Sequence, residues 1–302
     1  MNDTGCTPQE SASRLGIPDE EVAVTARTFV RPGIAAAILL ALALSGCASP
    51  DAGPAASTAP AEDPDHFTGL VDVGGHALWA TCSGSGSPTI ILEAGDEADH
   101  TAWLNIYSQV TEHTHVCMYD RFGVGKSDRA TGCRQLADLN GDLEGLLAAM
   151  GEDGPFILVG ASGGGYLMAG FAMAHPDETA GIVTLDTMHA IDTTLAPPDL
   201  LAVLKCDAPT NIEHRDYVAV EHEAWDDRHL VGDIPMTVIS NDYGDFYQNA
   251  EEQFSVTDQQ GWFTLSPQAR QVIVTSGHDM TYNESGLVVD ELLAVLAAAR
   301  GE

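Results

Sequence analysis

The chain has 302 residues, of which 45 are Asp or Glu and 12 are Lys or Arg, so its formal net charge is −33. A hydrophobic content of 44% over this length is enough for a large core, which excludes a globally disordered protein. A nucleic-acid partner is excluded as well, because phosphate binding draws on clustered cations and the chain has only two lysines, Lys126 and Lys205. Its six cysteines are too few for a disulfide mini-scaffold, and none lies in a Cys-x-x-Cys pair of the kind that binds zinc.

The first 46 residues have the pattern of an export signal. Arg27 and Arg31 precede an apolar run, Ile34–Leu44, which is too short to span a bilayer but fits the apolar region of a secretory signal. Residues 44–47 read Leu-Ser-Gly-Cys, which resembles the lipobox of bacterial lipoproteins. In such a motif a signal peptidase cuts before a cysteine that carries a diacylglyceryl group.

The resemblance to a lipobox implies removal of residues 1–46 and acylation of Cys47. Two acyl chains give stable membrane anchoring, so we expect an exported protein that is anchored at the outer face of the bacterial cell membrane, or secreted. Residues 47–65 are rich in Pro, Ala, Ser and acid without apolar periodicity, which is typical of a flexible tether. The folded domain is then expected over residues 66–302. Residues 1–21 are long and partly acidic for the start of a signal, so we expect translation to begin further along the chain.

Beyond residue 66, short β-rich runs alternate with helical patterns, which predicts an α/β protein with a mostly parallel sheet and helices on both faces. Eight strands are predicted, near Gly69–Val73, His76–Cys82, Thr89–Glu93, His115–Tyr119, Phe156–Gly160, Gly181–Asp186, Met236–Ser240 and Gln271–Thr275. The predicted helices are Arg134–Met150, Gly164–Ala174 and Gly286–Arg300. Two further helical patterns, Asp199–Leu204 and Ile212–Trp225, predict a small cap over about residues 190–234.

The candidate nucleophile lies in one turn of the predicted fold. The apolar run Phe156–Val159 leads directly into Gly160-Ala161-Ser162-Gly163-Gly164, which precedes a helix rich in small residues. A serine in a tight strand-to-helix turn needs neighbours without bulk, and the N-terminus of the helix directs N–H groups at developing negative charge. A Gly-x-Ser-x-Gly string arises by chance in roughly one chain of this length in ten. Its position between a buried strand and a helix is therefore what predicts Ser162 as a nucleophile.

Two further segments complete a resemblance to the α/β-hydrolase superfamily. Tyr119–Asp128 (YDRFGVGKSD) is similar to the loop after the fourth strand of esterase-like and proline-iminopeptidase-like members, and Ile90–Asp96 (IILEAGD) is similar to the third strand and the oxyanion loop. The resemblance extends from residue 66 to the C-terminus. It implies the α/β-hydrolase fold, an eight-stranded, mostly parallel sheet flanked by helices with the cap inserted after strand six. It also implies a scaffolding role for the charged residues of Tyr119–Asp128.

The same resemblance assigns the oxyanion donors. It implies that the backbone N–H groups of Gly163 and Asp96 stabilise the developing oxyanion. An acidic side chain at Asp96 departs from the small or apolar residue that is usual there. A carboxylate beside an oxyanion hole opposes the charge that the hole stabilises unless it points away.

A serine hydroxyl needs a base, and His278 is the predicted one. Ser276-Gly277-His278 follows an apolar run and precedes the last helix, where the chain order Ser, acid, His puts the base. The acid has two candidates. Asp186 is favoured because it ends an apolar strand next to the nucleophile strand, whereas Asp242, like its neighbour Asp245, lies in a polar, turn-like segment. The acid holds the imidazole tautomer and stabilises the imidazolium.

The cysteines and histidines carry two smaller predictions. In an exported chain Cys82, Cys117, Cys133 and Cys206 meet an oxidising environment. The fold resemblance implies that the strands bearing Cys82 and Cys117 are neighbours, so Cys82–Cys117 with Cys133–Cys206 is the expected pairing, with four buried free thiols as the alternative. His113 and His115 are spaced to share a face, but no third ligand is evident, so we predict neither a metal nor a cofactor.

Three functions remain open from the sequence. The first is a serine hydrolase that cleaves a small or medium, neutral or cationic carboxylic ester through an acyl-enzyme. A serine at position 162, rather than an aspartate, disfavours haloalkane dehalogenase and epoxide hydrolase chemistry. The second is an aminopeptidase of the proline-iminopeptidase type, in which Glu221 and Glu223 are candidates for binding the substrate amine. The third is an inactive surface-binding lipoprotein.

The cap predicts which substrates are disfavoured. Its acids outnumber its bases, so an anionic substrate is repelled on approach, or else these charges simply form a solvated face. The expected partner is a small ester. No nucleic acid is expected, contact with a membrane is expected only through Cys47, and the oligomeric state stays open.

Overall fold

The predicted alternation of strands and helices is present in the computed structural model, which describes residues 66–244 and 256–302. The strands are β1 His66–Asp72, β2 Ala77–Ser83, β3 Thr89–Glu93, β4 Val116–Tyr119, β5 Phe156–Ala161, β6 Thr179–Leu185, β7 Met236–Asn241 and β8 Ala269–Val274. The helices are α1 Leu104–Val110, α2 Leu136–Met150, α3 Gly163–Ala174, α4 Pro198–Val203, α5 Tyr217–Asp226, α6 Met280–Asn283 and α7 Ser285–Arg300. Short 3-10 helices cover His100–Trp103, Pro176–Glu178 and Asp258–Leu265. Cys47, Asp245 and the segments expected to be signal and tether lie outside the described residues.

The eight strands described form one sheet in the order β1-β2-β4-β3-β5-β6-β7-β8. β2 runs antiparallel to both of its neighbours, and every pair from β4 to β8 is parallel. Because the parallel strands need crossover connections, helices cover both faces and the central strands are buried on both sides. This order puts β5, the predicted nucleophile strand, between β3 and β6.

Two hydrophobic cores lie on opposite faces of this sheet. Along β5, Leu158 points into one core, while Ile157 and Val159 point into the other, as the two-residue period of a strand requires. Residues of α2, α3 and α5 build the first core, and residues of α1 and α7 build the second. All three β5 side chains are fully buried, which explains why this strand reads as a continuous apolar run.

The predicted cap lies between β6 and β7 and contains α4 and α5. It is fastened to the start of α2. Arg134 N–H donates to His214 O at 2.9 Å, Asp216 N–H donates to Arg134 O at 3.1 Å, and Cys133 is disulfide-bonded to Cys206. The interpretation of the cap charges as a solvated face is wrong in part, because two of them, Glu213 and Arg215, are 0% and 1% exposed.

The expected disulfide pairing is confirmed. Cys82 and Cys117 are directly opposite residues of the antiparallel pair β2–β4, and their sulfurs are bonded. His115 and Glu152 lie against this disulfide, so that four groups of metal-ligating type meet within 4.8 Å. Sequence reasoning paired His115 with His113 and missed this cluster. The metal-ligating form of cysteine is the thiolate, and here both sulfurs are bonded to each other.

Several short elements were not predicted from the sequence, among them α1 and the 3-10 helix Asp258–Leu265. Helix α1 has seven residues, too few for a 3.6-residue period to stand out, and it is held by the burial of Ile106 and Val110 in the second core. The 3-10 helix Asp258–Leu265 is anchored by Trp262, which is fully buried and whose indole N–H donates to Thr187 O at 2.9 Å. Among the described residues, no helix has the length and apolar character needed to cross a membrane.

Candidate active site

Ser162 stands at the turn between β5 and α3, where its backbone has φ +50° and ψ −125°. A positive φ is costly for a residue with a side chain and is found at strained functional positions. A Cβ on Gly160 would lie 2.5 Å from Gly164 O, and a Cβ on Gly164 would lie 2.4 Å from Ala94 O. The close approach of strand, turn and helix therefore requires glycine at both places, which is the physical reason for the Gly-x-Ser-x-Gly pattern.

Hydrogen bonds hold this turn on both sides of Ser162. Its N–H donates to Leu185 O, at the end of the neighbouring strand β6, over 2.7 Å. Its carbonyl oxygen accepts from Gly165 N–H and from the Thr187 hydroxyl, each at 2.9 Å. These contacts offset the cost of the positive φ and fix the serine at the C-terminal edge of the sheet, where ligands bind in open α/β folds.

Asp186 and His278 form a direct pair beside this turn. Asp186 Oδ2 lies 2.7 Å from His278 Nδ1. Tyr243 O–H also donates to Oδ2, and Gln259 Nε2 and Asn241 N–H donate to Oδ1 at 3.0 and 3.2 Å. Asp186 follows β6, has φ +49° and is 1% exposed, so the chain bends sharply to present a buried carboxylate to the histidine.

The alternative acid, Asp242, makes a different contact. Its Oδ1 accepts Gly244 N–H at 2.8 Å within its own turn. Among the described residues, Asp186 is therefore the candidate acid that contacts His278. Sequence reasoning favoured Asp186 for its position after an apolar strand, and the same position explains the contact.

The charges of the pair are set by burial and hydrogen bonding. Burial raises the pKa of Asp186, but its hydrogen bonds with His278, Tyr243, Gln259 and Asn241 outweigh burial and leave the pKa below the ordinary value. The hydrogen bond with Asp186 raises the pKa of His278 above 6.5 in spite of burial. An ionised carboxylate on Nδ1 favours the tautomer that carries its proton there, which leaves Nε2 as the basic nitrogen.

Two cavities meet at Ser162. One, of about 170 Å³, lies under the cap and is lined by Tyr166, His189 and Glu221. The other, of about 250 Å³, contains His278 and lies towards α6. Ser162 and Asp96 line both cavities, so the serine faces open space on either side.

The carboxylate of Asp96 lies against the residue that follows the nucleophile. A Cβ on Gly163 would fall 1.6 Å from Asp96 Oδ1. The carboxylate therefore does not point away from the predicted oxyanion site. Its negative charge is instead balanced by Arg215 of the cap, which forms an ion pair with Asp96 Oδ1. The expected backbone donors, Asp96 and Gly163, are adjacent in space, and their role in holding an oxyanion stays a prediction.

The model of the α/β hydrolase fold family matches residues 88–205, which include the oxyanion loop, the segment Tyr119–Asp128, the Ser162 turn and Asp186. This match and the strand order around the turn decide the classification. The chain has the α/β-hydrolase fold.

Two relatives of this chain have names that specify no hydrolytic reaction. It is 24% identical over 226 residues to the uncharacterized protein YqjL of Bacillus subtilis, which covers 72% of this chain and 86% of that protein. It is 30% identical over 127 residues to a protein of Hormonema carpetanum described as a probable transporter. That match covers 39% of this chain and only 18% of the relative's length, so it concerns a part of that protein.

Solved structures give the same fold at low identity. An enol-lactonase from Burkholderia xenovorans aligns with a TM-score of 0.61 and 17% identity, covering 76% of this chain and 100% of the other. The carboxylesterase CesB of Bacillus subtilis aligns with a TM-score of 0.57 and 15% identity, covering 77% and 92%. These likenesses establish the fold.

The segment Tyr119–Asp128 contributes scaffolding contacts. Asp120 accepts hydrogen bonds from His100 N–H and Lys126 N–H, at 2.7 and 2.8 Å, and also contacts the His100 ring. Asp128 Oδ2 accepts Ala77 N–H of β2 at 2.8 Å. These contacts connect the segment to the neighbouring strand and to the 3-10 helix after the oxyanion loop, as the family resemblance implied.

Four residues around the site were not singled out by sequence reasoning. They are Tyr243 and Gln259, which donate to Asp186, and Glu213 and Arg215, which reach the oxyanion loop from the cap. The sequence carries no local pattern for them, because each contact joins segments that are at least 57 residues apart. The sequence offered a signal only for the two cap residues, because Arg215 is a cation in a segment where acids outnumber bases.

Proposed function

We propose that this protein is a serine hydrolase that cleaves carboxylic esters. The observation that carries the proposal is Ser162 in a strained strand-to-helix turn, sharing a cavity with a histidine that is paired to a buried aspartate. In the first step Ser162 Oγ attacks the ester carbonyl while His278 Nε2 takes the hydroxyl proton. The N–H groups of Gly163 and Asp96 hold the oxyanion.

Completion of the cycle uses the same residues. The tetrahedral intermediate collapses, the alcohol leaves with the proton from His278, and an acyl group stays on Ser162. Water then attacks the acyl carbonyl, gives a proton to His278, and releases the acid as the serine regains its proton. Asp186 keeps the imidazole oriented and stabilises the imidazolium in both halves of the cycle.

The dimensions and charges of the site favour a small or medium ester of neutral charge. Each cavity beside Ser162 is below the volume of pockets that hold drug-sized ligands. The Asp96 carboxylate is already paired with Arg215. Burial and the nearby Asp96 raise the pKa of Glu221 to about 7, so this group is partly neutral at physiological pH. An anionic substrate still meets an acidic surface, which disfavours its approach.

The test is hydrolysis of short-chain p-nitrophenyl esters by the purified protein, the Ser162→Ala variant and the control variant Ser108→Ala. Ser108 is exposed on α1 and is remote from the proposed chemistry. We expect hydrolysis by the wild type and the Ser108 variant and none above background with Ser162→Ala. An ester series of rising acyl length should lose kcat/KM once the acyl chain exceeds the cavity. Undiminished hydrolysis by Ser162→Ala would contradict the proposal.

A second candidate, an aminopeptidase of the proline-iminopeptidase type, is favoured by one observation. Of the two glutamates considered for the substrate amine, Glu221 lines the cavity next to Ser162, whereas Glu223 is exposed on α5. An ammonium group bound there would ionise Glu221. If this candidate is correct, aminoacyl p-nitroanilides are cleaved faster than esters, Glu221→Gln raises KM at least tenfold, and Glu223→Gln does not. The ester proposal expects the opposite preference.

We propose further that the enzyme works outside the cell, either secreted or attached to the membrane through acylated Cys47. Two disulfides within the described domain support folding in an oxidising compartment. Expression with radiolabelled palmitate should label the wild type and not the Cys47→Ser variant. The control is Cys6→Ser, which removes a cysteine that precedes the apolar run. Equal labelling of the Cys47→Ser variant would refute acylation at this residue.

A further inference from the structure

The oxyanion loop, residues 94–97, is held by charged side chains rather than by its own turn alone. Arg121 Nη1 donates to Ala94 O at 2.7 Å, and Arg121 Nη2 donates to Gly95 O at 2.6 Å. The remaining donors of this guanidinium go to Glu93, at the end of β3, and to Glu213 of the cap. Arg121 is 4% exposed, so the loop rests on a buried and fully engaged cation.

The cap reaches the same loop from the other side. Glu213 Oε1 accepts Glu97 N–H at 2.6 Å, and its Oε2 accepts Arg121 Nε–H at 2.8 Å. Two residues later, Arg215 pairs with Asp96. Glu213 and Arg215 thus grip successive residues of the loop that supplies a predicted oxyanion donor.

Arg215 depends on Asp96 for its hydrogen bonding. The guanidinium is 1% exposed and lies 4.3 Å from the centre of the Tyr217 ring, and its Nη1 is 4.0 Å from Glu213 Oε2. Its Nε and Nη1 are buried without a hydrogen-bond partner among the described residues. The pair with Asp96 is therefore the main polar contact of a buried charge, and breaking such a pair has a large effect on the partner that remains.

We propose that Arg215 is a positioning residue for catalysis, which neutralises the Asp96 carboxylate beside the oxyanion site and holds it against Gly163. This inference rests on the proposed function. Without Arg215, a free carboxylate would lie against Gly163 at the moment when negative charge develops on the substrate. The repulsion arises in the transition state and not in the neutral ground state, so it should lower kcat more than it alters KM.

The test is a double-mutant cycle on p-nitrophenyl ester hydrolysis. We expect Arg215→Gln to lower kcat roughly 30-fold, which is less than the loss of about 10²-fold or more from removing an oxyanion donor, with KM changed less than about threefold. In the Asp96→Asn background the same Arg215→Gln substitution should lower kcat less than about threefold, because no carboxylate is left to neutralise. Arg215→Lys keeps the charge and should retain at least a third of the wild-type kcat.

Controls separate this role from a loss of fold or of function. Arg228→Gln changes the other cap arginine, which stacks on Trp225, and should leave kcat within about twofold. Circular dichroism and thermal unfolding identify any variant that fails to fold, in which case Arg215→Lys in the two backgrounds carries the test. An equal loss from Arg215→Gln with and without Asp96, or a loss of tenfold or more in folded Arg215→Lys, would overturn the positioning role. Activity that survives Ser162→Ala would instead overturn the proposed function.

Discussion

Two halves of the site are assembled in different ways. Ser162, Asp186 and His278 each stand just after a parallel strand, so the sheet itself brings them to one edge. The oxyanion loop instead depends on two cap residues, Glu213 and Arg215, which are 116 and 119 residues away from their loop partners in the sequence. The comparison shows that the sheet positions Ser162, Asp186 and His278, the predicted nucleophile, acid and base, while the charge of Asp96 is balanced by a residue of the cap.

The strand-end half should be the most sensitive to substitution, and His278→Ala tests it with the largest expected effect. Removing the base leaves Ser162 without a proton acceptor, so kcat/KM should fall by about 10⁴-fold or more. Stopped-flow or steady-state kinetics of p-nitrophenyl ester hydrolysis measures this loss. His113→Ala, which changes an exposed histidine, should retain full activity. A loss below about tenfold in His278→Ala would break the assignment of the base.

The acid comes next in expected effect. Asp186→Asn should lower kcat by about 10³-fold or more, because an amide neither stabilises the imidazolium nor fixes the tautomer. Asp242→Asn is the matched control, since its carboxylate caps a local turn, and it should stay within a few-fold of the wild type. Comparable losses in both variants would mean that Asp186 has no special role.

The contrast also explains how much of the molecule sequence reasoning reached. The eight strands were predictable from short β-rich runs that alternate with helical patterns. The Ser162 turn was predictable because a buried strand, a turn without bulky residues and a helix of small residues follow one another within twenty residues of chain. Asp186 and His278 follow from strand ends in the same way. The helix α1 was missed for its length, and the Arg215–Asp96 pair was missed because no local pattern encodes a contact between distant segments.

Removing each disulfide in turn should have a smaller effect on kcat and should distinguish the cap-dependent half of the site from the strand-end half. Replacing Cys133 and Cys206 by Ser leaves the segment that carries Glu213 and Arg215 fastened to the start of α2 by backbone hydrogen bonds alone, so kcat should fall about tenfold. Replacing Cys82 and Cys117 by Ser removes a link between strands that are already paired, and kcat should hold. Both variants should lose stability, by about 3 kcal/mol, measured by urea unfolding. Equal kcat values in the two variants would show that the cap fastening does not serve catalysis.

The pH dependence of hydrolysis reports on the pair formed by Asp186 and His278. His278 must be neutral to accept a proton, and its hydrogen bond with Asp186 raises its pKa above 6.5. Activity should therefore rise with pH through a midpoint above 6.5 and fall as His278 becomes protonated below it. In Asp186→Asn the residual activity should show a midpoint at lower pH, because the carboxylate that raised the pKa is gone. A midpoint that does not move would contradict the pairing in solution.

The smallest expected effect is that of Tyr243→Phe. The Tyr243 hydroxyl donates to Asp186 Oδ2, and its hydrogen bond helps to lower the pKa of that carboxyl. Asp186 keeps its bonds with His278, Gln259 and Asn241, so kcat should fall only about threefold. Tyr282→Phe, on a residue that is 74% exposed, is the control. A loss of kcat above about 100-fold would show that Tyr243 is more than an auxiliary hydrogen-bond donor to Asp186.

The central claim, that Ser162 is an activated nucleophile, is tested most directly by covalent labelling with a fluorophosphonate. We expect the folded protein to gain one phosphonyl group, which peptide mapping locates on Ser162, and to lose ester hydrolysis as the label is taken up. We also expect Ser162→Ala and denatured wild-type protein to stay unlabelled. A folded wild-type protein that takes up no label, or takes it up on another serine, would contradict the account.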